Sequence, residues 1–231
     1  MRQAFAHRAC RHPYLTALAV GDLPNVEEAL KDFAHQYAFY SAGFSIYLRG
    51  LVAQLEEPAH IHLVAENLAE EEGRIDGEAG RPHGLLFLDF QEAIGVNPLT
   101  ADPPIASVRS WRRRFDELCS VEGPAVAVAA LGVGTELIVP AIYSQILRSL
   151  RAHTTLQRED LLFFELHSVC DEAHSEDLLY IAESFAGTPE GRQDLARGAR
   201  IAWELRATFW DEMLARAEQM PPSVTRARGA S

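Results

Sequence analysis

No segment of this 231-residue chain alternates apolar and polar residues with a period of two, whereas apolar residues recur in steps of three and four along most of its length. That pattern excludes a half-buried sheet and leaves helices that each bury one face. Asn25 is placed as an N-cap, with Glu28 as its capping-box partner, ahead of one long helix to about Leu55. Phe33, Tyr37, Tyr40, Phe44, Tyr47, Leu48 and Leu51 form its buried face. Pro58 opens a helix that Gly73 stops, and residues 74–82, with Gly77, Gly80 and Pro82, form a loop. Further helices are predicted from His83 to Ile94, from Pro103–Pro104 to Cys119, from Pro124 to about Leu150 and from Leu156 to Ala186. Thr188 and Pro189 then start a last one. The expected class is all-α, roughly seven or eight helices of bundle type. A single domain should span residues 1–220, with a disordered tail over 221–231.

Charge and cysteine usage narrow the function. The formal net charge of -12 argues against nucleic acid and against an anionic membrane surface, because both need a basic face. Arg112, Arg113 and Arg114 sit among acids and read as a solvated helix face. Lys31 is the one lysine among 21 basic residues, so a lysine Schiff base is disfavoured. Cys10, Cys119 and Cys170 are odd in number and widely spaced, which disfavours disulfides and zinc–cysteine sites. The first twelve residues lack the apolar run of a signal peptide. The apolar stretch Pro124–Leu147, interrupted by Glu136 and Pro140, reads as a core helix rather than a membrane span. A cytoplasmic protein is expected.

Three pieces of sequence carry chemistry. Glu136 lies between Ala125–Val133 and Leu137–Val139, where an unpaired carboxylate costs several kcal/mol unless it protonates or finds a cation. The competing reading is a pair with Arg148 or an exit to solvent. His167, Asp171 and His174 share one helix face through spacings of four and three, and suit iron, manganese or zinc. The competing reading there is a solvated stripe, supported by Glu165, Glu172, Glu176 and Asp177. In the acidic run Glu70–Glu72, three consecutive acids cannot all face a core, and Glu71 shares a face with Val64 and Asn67. It is the best inward candidate, ahead of Glu72. His83 starts the next helix on the same side if the loop simply reverses the chain. Together these residues could supply a dinuclear carboxylate site: three carboxylates and three imidazoles against the four positive charges of a divalent pair.

At these residues the chain resembles the heme-oxygenase-like di-iron oxidases and oxygenases, which share their helical fold with thiaminase-II-like proteins and the pyrroloquinoline-quinone biosynthesis protein C. The resemblance covers most of the chain. It rests on His12–Leu15 with Gly21–Pro24, the aromatic helix Phe33–Tyr40, Asn67–Gly73, His83–Phe87 with Gly95, Glu136, and His167-x3-Asp171-x2-His174. The loop from Glu71 to His83 is slightly longer than is usual in the family, and the helix Tyr37–Leu51 offers no extra glutamate. The resemblance implies a heme-oxygenase-like bundle with Glu71, His83, Glu136, His167, Asp171 and His174 as ligands of two Fe(II) ions. It further implies dioxygen as cosubstrate, Glu136 bridging, and a small amine, amino acid or fatty acid as substrate. Glu136 and Asp171 are the expected catalytic carboxylates, and Tyr37, Tyr40, Phe44 and Tyr143 are candidate pocket walls. Homodimers are common among such folds, although no residue here argues for one. The rivals are a metal-free oxidase or a cysteine-dependent hydrolase on the same fold, and a non-catalytic interaction protein.

Overall fold

Asn25 Oδ1 accepts the Glu28 amide at 3.2 Å and starts the first long helix as predicted, but the Glu28 side chain turns to Lys31 instead of closing a capping box. In the computed structural model, residues 2–75, 78–97 and 102–223 are described, apart from the side chains of 75, 78, 79 and 169–172. Helices α1 (Arg2–Ala6), α2 (Pro13–Val20), α3 (Val26–Ser41), α4 (Phe44–Val52) and α5 (Pro58–Glu71) lead to a two-residue antiparallel ladder. Its strands are β1 (Arg74–Ile75) and β2 (Glu78–Ala79), with Arg74 opposite Ala79. Helices α6 (His83–Ala93), α7 (Ala106–Ser120) and α8 (Pro124–Leu131) follow. A π-helical turn over Gly132–Glu136 then leads to α9 (Val139–His153), α10 (Leu162–Phe185) and α11 (Pro189–Glu218). The class is all-α as expected. The described residues hold eleven α-helices instead of seven or eight, because predicted helices are interrupted and short N-terminal ones are added.

Four predicted helices need correction, one of them the helix from Pro124 to about Leu150, which the π-helical turn divides into α8 and α9. The helix expected from Asn25 to Leu55 breaks between α3 and α4. Ser41 Oγ donates to Tyr37 O at 3.0 Å, and the Tyr47 ring packs where a Cβ on Gly43 would stand 2.6 Å away. The helix expected from Pro103 begins at Ala106, because its first amides are capped from elsewhere: Glu212 on α11 accepts from Ala106 N (3.3 Å) and Ser107 N (2.7 Å). The helix expected from Leu156 begins at Leu162, because Thr154 and Asp160 side chains take the amides of Leu156 and Gln157 in local turns. The predicted tail is docked at its start, where the Ser223 amide donates to Pro24 O at 3.0 Å; residues 224–231 lie outside the described residues.

The Glu212 cap sets a testable dependence on pH. Burial raises this carboxyl, but bonds from Ser107 and Ala106 outweigh it and hold it below the usual carboxylate range. A depressed folded value adds stability above the unfolded value, about 4.3, which is lost as pH falls through the folded one. Glu212→Ala is therefore expected to lower stability near neutral pH by about 1 kcal/mol, roughly 2–4 °C in thermal melts. The two proteins should converge in melts taken below about pH 4.

Pro124–His153 is long and apolar enough to cross a membrane by composition alone, and 78% of its most apolar window is buried by the other helices. Helices α8 and α11 approach closely, so that a Cβ on Gly198 would stand 2.2 Å from Val126 O. An aromatic core follows, in which Tyr37 stacks parallel to Trp210, and Phe87, Phe90 and Phe164 pack edge to face. This core makes one wall of a cavity bounded by α3, α5, α6, α10, α11 and the π turn.

Candidate metal centre

The end of α5 and the start of α6 set the first two ligand groups. Gly73, at φ +77°, turns the chain so tightly that a Cβ would lie 2.6 Å from Pro82 N, and the short ladder returns it to His83. Glu71 is thereby buried against His83, whose Nδ1 lies 3.0 Å from Glu71 Oε1. Glu72 points outward to Arg49 and Arg74, so of the two candidates Glu71 is the inward one. From α10, His167 brings Nε2 to 3.6 Å from the same Oε1, and its ring meets that of His83 at a 4.6 Å centroid distance. The three donor atoms lie within 4.8 Å of one another.

Tautomers make this arrangement informative. His167 Nδ1 stands 2.7 Å from Phe163 O. A carbonyl only accepts, so Nδ1 carries the proton, and in the neutral ring Nε2 presents a lone pair to a carboxylate oxygen. Facing the carboxylate, that nitrogen takes up either a proton or a metal cation. A histidine whose second nitrogen donates to a backbone carbonyl is the usual preparation of a metal ligand. The carboxylate itself is ready: burial raises Glu71, but contacts from His167 and His83 override it and hold it well below the usual carboxylate range. The residues present therefore fit a divalent transition metal with nitrogen and oxygen donors.

Glu136 is 3% exposed and lines the same cavity. Solvent exposure is thereby ruled out, and Arg148 is on the exposed side of α9. The π turn supplies the placement: Leu137 N bonds to Gly132 O, a five-residue step that shifts the following side chains around the helix. Pro140, which has no N–H to continue the ladder, then restarts the helix as α9. His174 is buried but is not among the three clustered groups. Its Nε2 lies 3.0 Å from Glu70 Oε2, two helical turns along α10 from His167, and its Nδ1 is buried with no hydrogen-bond partner among the described residues. The side chain of Asp171 lies outside the described residues. Of the six candidates, then, three meet, Glu136 shares their cavity, and His174 stands apart with Glu70, an acid the sequence reading left in solvent.

The whole cavity measures about 240 Å³, and away from these ligand groups it is walled largely by aromatic residues. Tyr37, Tyr40, Phe44 and Tyr143 all line it, and Tyr37 Oη lies 3.0 Å from Tyr143 Oη. A residue that sequence reasoning missed also faces it: Arg206 on α11 is fully buried, with its guanidinium over the rings of Tyr40 (5.3 Å) and Trp111 (5.4 Å). Burial lowers its affinity for a proton, yet the surrounding Tyr40, Tyr37 and Tyr143 hydroxyls more than restore it, so it stays charged. Two desolvated aromatic faces contribute about 2 kcal/mol each, against several kcal/mol for burying a charge without a counter-ion. Cys10 and Cys119 are buried, with thiols pushed up by burial, and neither lines the cavity. The side chain of Cys170 lies outside the described residues.

Residues 31–207 match the family model described as iron-containing redox enzyme. The chain belongs to this family. It is 27% identical to the 4-aminobenzoate synthase of Nitrosomonas europaea, over 87% of this chain and 83% of that one. Its fold is that of a CADD-like protein of unknown function from Nostoc punctiforme (TM-score 0.79, 17% identity, 94% of this chain and 95% of that chain). A TenA homolog from Pseudomonas syringae pv. tomato shares it as well (TM-score 0.77, 13% identity, 93% and 89%). A domain of unknown function from Shewanella denitrificans (TM-score 0.74, 14% identity, 88% and 84%) is described as having a heme oxygenase-like fold. The fold of this iron-containing redox enzyme is thus heme oxygenase-like, and the family implies iron as its metal.

Proposed function

We propose that this family member is a dioxygen-dependent non-heme di-iron oxidase or oxygenase acting on a small molecule. The observation that carries the reading is the convergence of Glu71 Oε1, His83 and His167 Nε2 within 4.8 Å of one another, buried in one cavity with Glu136. Glu71, His83 and His167 would hold one iron; Glu136, with Asp171 and His174, would complete the second. Bound iron supplies the one-electron chemistry that lets spin-paired organic substrates react with dioxygen. The chain's own contribution is positioning and exclusion of water. Phe163 O fixes the His167 tautomer, Gly73 and the ladder fix His83 against Glu71, and the aromatic walls present an apolar lining that disfavours water. The relative named 4-aminobenzoate synthase supports a small-molecule reaction. A TenA-like reading without metal rests on likeness of fold, and neither described cysteine reaches the cavity to act as nucleophile.

The test is anaerobic loading of the full chain with Fe(II), followed by gel filtration and iron assay. Close to two irons per chain are expected, with oxygen consumed on exposure to air. Glu136→Ala should lose iron and oxygen uptake together. Iron well below two per chain, with no oxygen uptake by the wild type, refutes the reading.

A further inference from the structure

Resting on that reading, we infer that the substrate is a small carboxylate whose anionic end is bound by Arg206 and whose apolar body lies between the aromatic walls, toward the metal ligands. Arg206 is fully buried on α11 and lines the cavity shared by Glu71, His83, His167 and Glu136. No carboxylate pairs with it among the described residues, although most other buried or half-buried arginines of the fold, such as Arg216 with Asp32, have one. Among the described residues its Nε and Nη1 are buried with no hydrogen-bond partner, and so is the hydroxyl of Tyr40, over whose ring the guanidinium lies. All of these atoms are donors: an arginine never accepts, and burial keeps the Tyr40 phenol protonated by pushing it well up. Unsatisfied donors around a fixed positive charge call for a ligand with several acceptor oxygens and a negative charge. Carboxylate and phosphate both match that description.

The remainder of the cavity decides between them. The whole cavity, about 240 Å³, is below the roughly 300–1,000 Å³ of drug-sized pockets, and its apolar walls include Tyr37, Phe44, Phe87, Val139 and Phe163. Such walls suit a flat or unbranched apolar body and leave the oxygens of a phosphate ester largely unmatched. The acids Glu71 and Glu136 lie in the same cavity as Arg206, so an anionic group is repelled by the one set and held by the other. That polarity orients the ligand before any metal acts on it.

The experiment titrates the iron-free full chain with benzoate and octanoate, with benzamide and octanamide as neutral matches and inorganic phosphate as the other anion, by calorimetry. At least one carboxylate should bind at least tenfold more tightly than its amide, and phosphate should not compete. Arg206→Gln should lose at least tenfold in carboxylate affinity, Arg206→Lys should recover part of it, and Tyr40→Phe should give a smaller loss. Iron uptake by Arg206→Gln should stay at the wild-type stoichiometry. Equal binding of carboxylate and amide, no binding of either carboxylate at millimolar concentration, tighter binding of phosphate, or an undiminished preference in Arg206→Gln each overturns the inference. If Arg206→Gln does not fold, the wild-type comparison and Tyr40→Phe decide it. A wild type that binds benzoate but takes up no iron would end the di-iron reading and leave the Arg206 site standing.

Discussion

A Glu71→Ala variant is expected to leave gel filtration with no more than one iron per chain and to consume no oxygen above background, under conditions where the wild type retains two and consumes it. Glu71 is the one group that touches both imidazoles of the cluster, with His83 Nδ1 at 3.0 Å and His167 Nε2 at 3.6 Å from the same oxygen. Without it, the two neutral rings keep their lone pairs but lose the anion that offsets the charge of a dication in a buried site. Losing an outer partner of a metal ligand costs about 10–100-fold in affinity, and losing an anionic ligand costs more than that. The metal-free variant should also be less stable, because His83 is left buried without its bond. A loss of about 1–3 kcal/mol corresponds to roughly 2–12 °C in a chain of this size. The diagnostic feature is the response to Fe(II): it should raise the wild-type midpoint by mass action and the variant's by less. Retention of wild-type iron by Glu71→Ala would show that the cluster is an ordinary buried hydrogen-bond network, whatever the family implies.

What could be read in the sequence divides along a physical line. Local marks were legible: Asn25 and Thr188 as caps, Pro58 and Pro124 as helix starts, Gly73 and Gly95 in left-handed conformations at helix ends. So was the inward choice of Glu71, because only one of three consecutive acids can share a face with Val64 and Asn67. Features set by distant partners were not legible. The late start of α7 depends on Glu212, more than ninety residues away, and the break at Ser41–Gly43 depends on the Tyr47 ring folding back. Arg206 could not be singled out in a chain whose basic residues are nearly all arginine. Only the fold brings it under Tyr40 and Trp111, with no carboxylate partner among the described residues. The placement of Glu136 falls between these cases. Its apolar flanks announced burial, while the π turn that aims it has no sequence mark beyond Gly132, Gly134 and Pro140.

His174→Ala is expected to halve iron retention, from two per chain to one, while Glu70→Gln is expected to weaken the same iron about 10–100-fold without eliminating it. The asymmetry follows from how the two residues meet. Glu70 Oε2 lies 3.0 Å from His174 Nε2, and a carboxylate on one imidazole nitrogen fixes the tautomer that leaves the other, Nδ1, as a lone pair. Nδ1 is buried and has no hydrogen-bond partner among the described residues, an arrangement that costs free energy unless a cation takes it. Glu70 would thus act on the metal through His174, as a positioning residue, where the sequence pattern alone assigned it to solvent. The cluster of Glu71, His83 and His167 is complete without either residue, so one iron should survive both substitutions. Iron assays at limiting and saturating Fe(II) separate the outcomes: His174→Ala should saturate at one per chain, and Glu70→Gln should reach two only at higher Fe(II). If both variants bind two irons as tightly as the wild type, His174 is a buried partner of Glu70 and the second metal, if bound, is held without it.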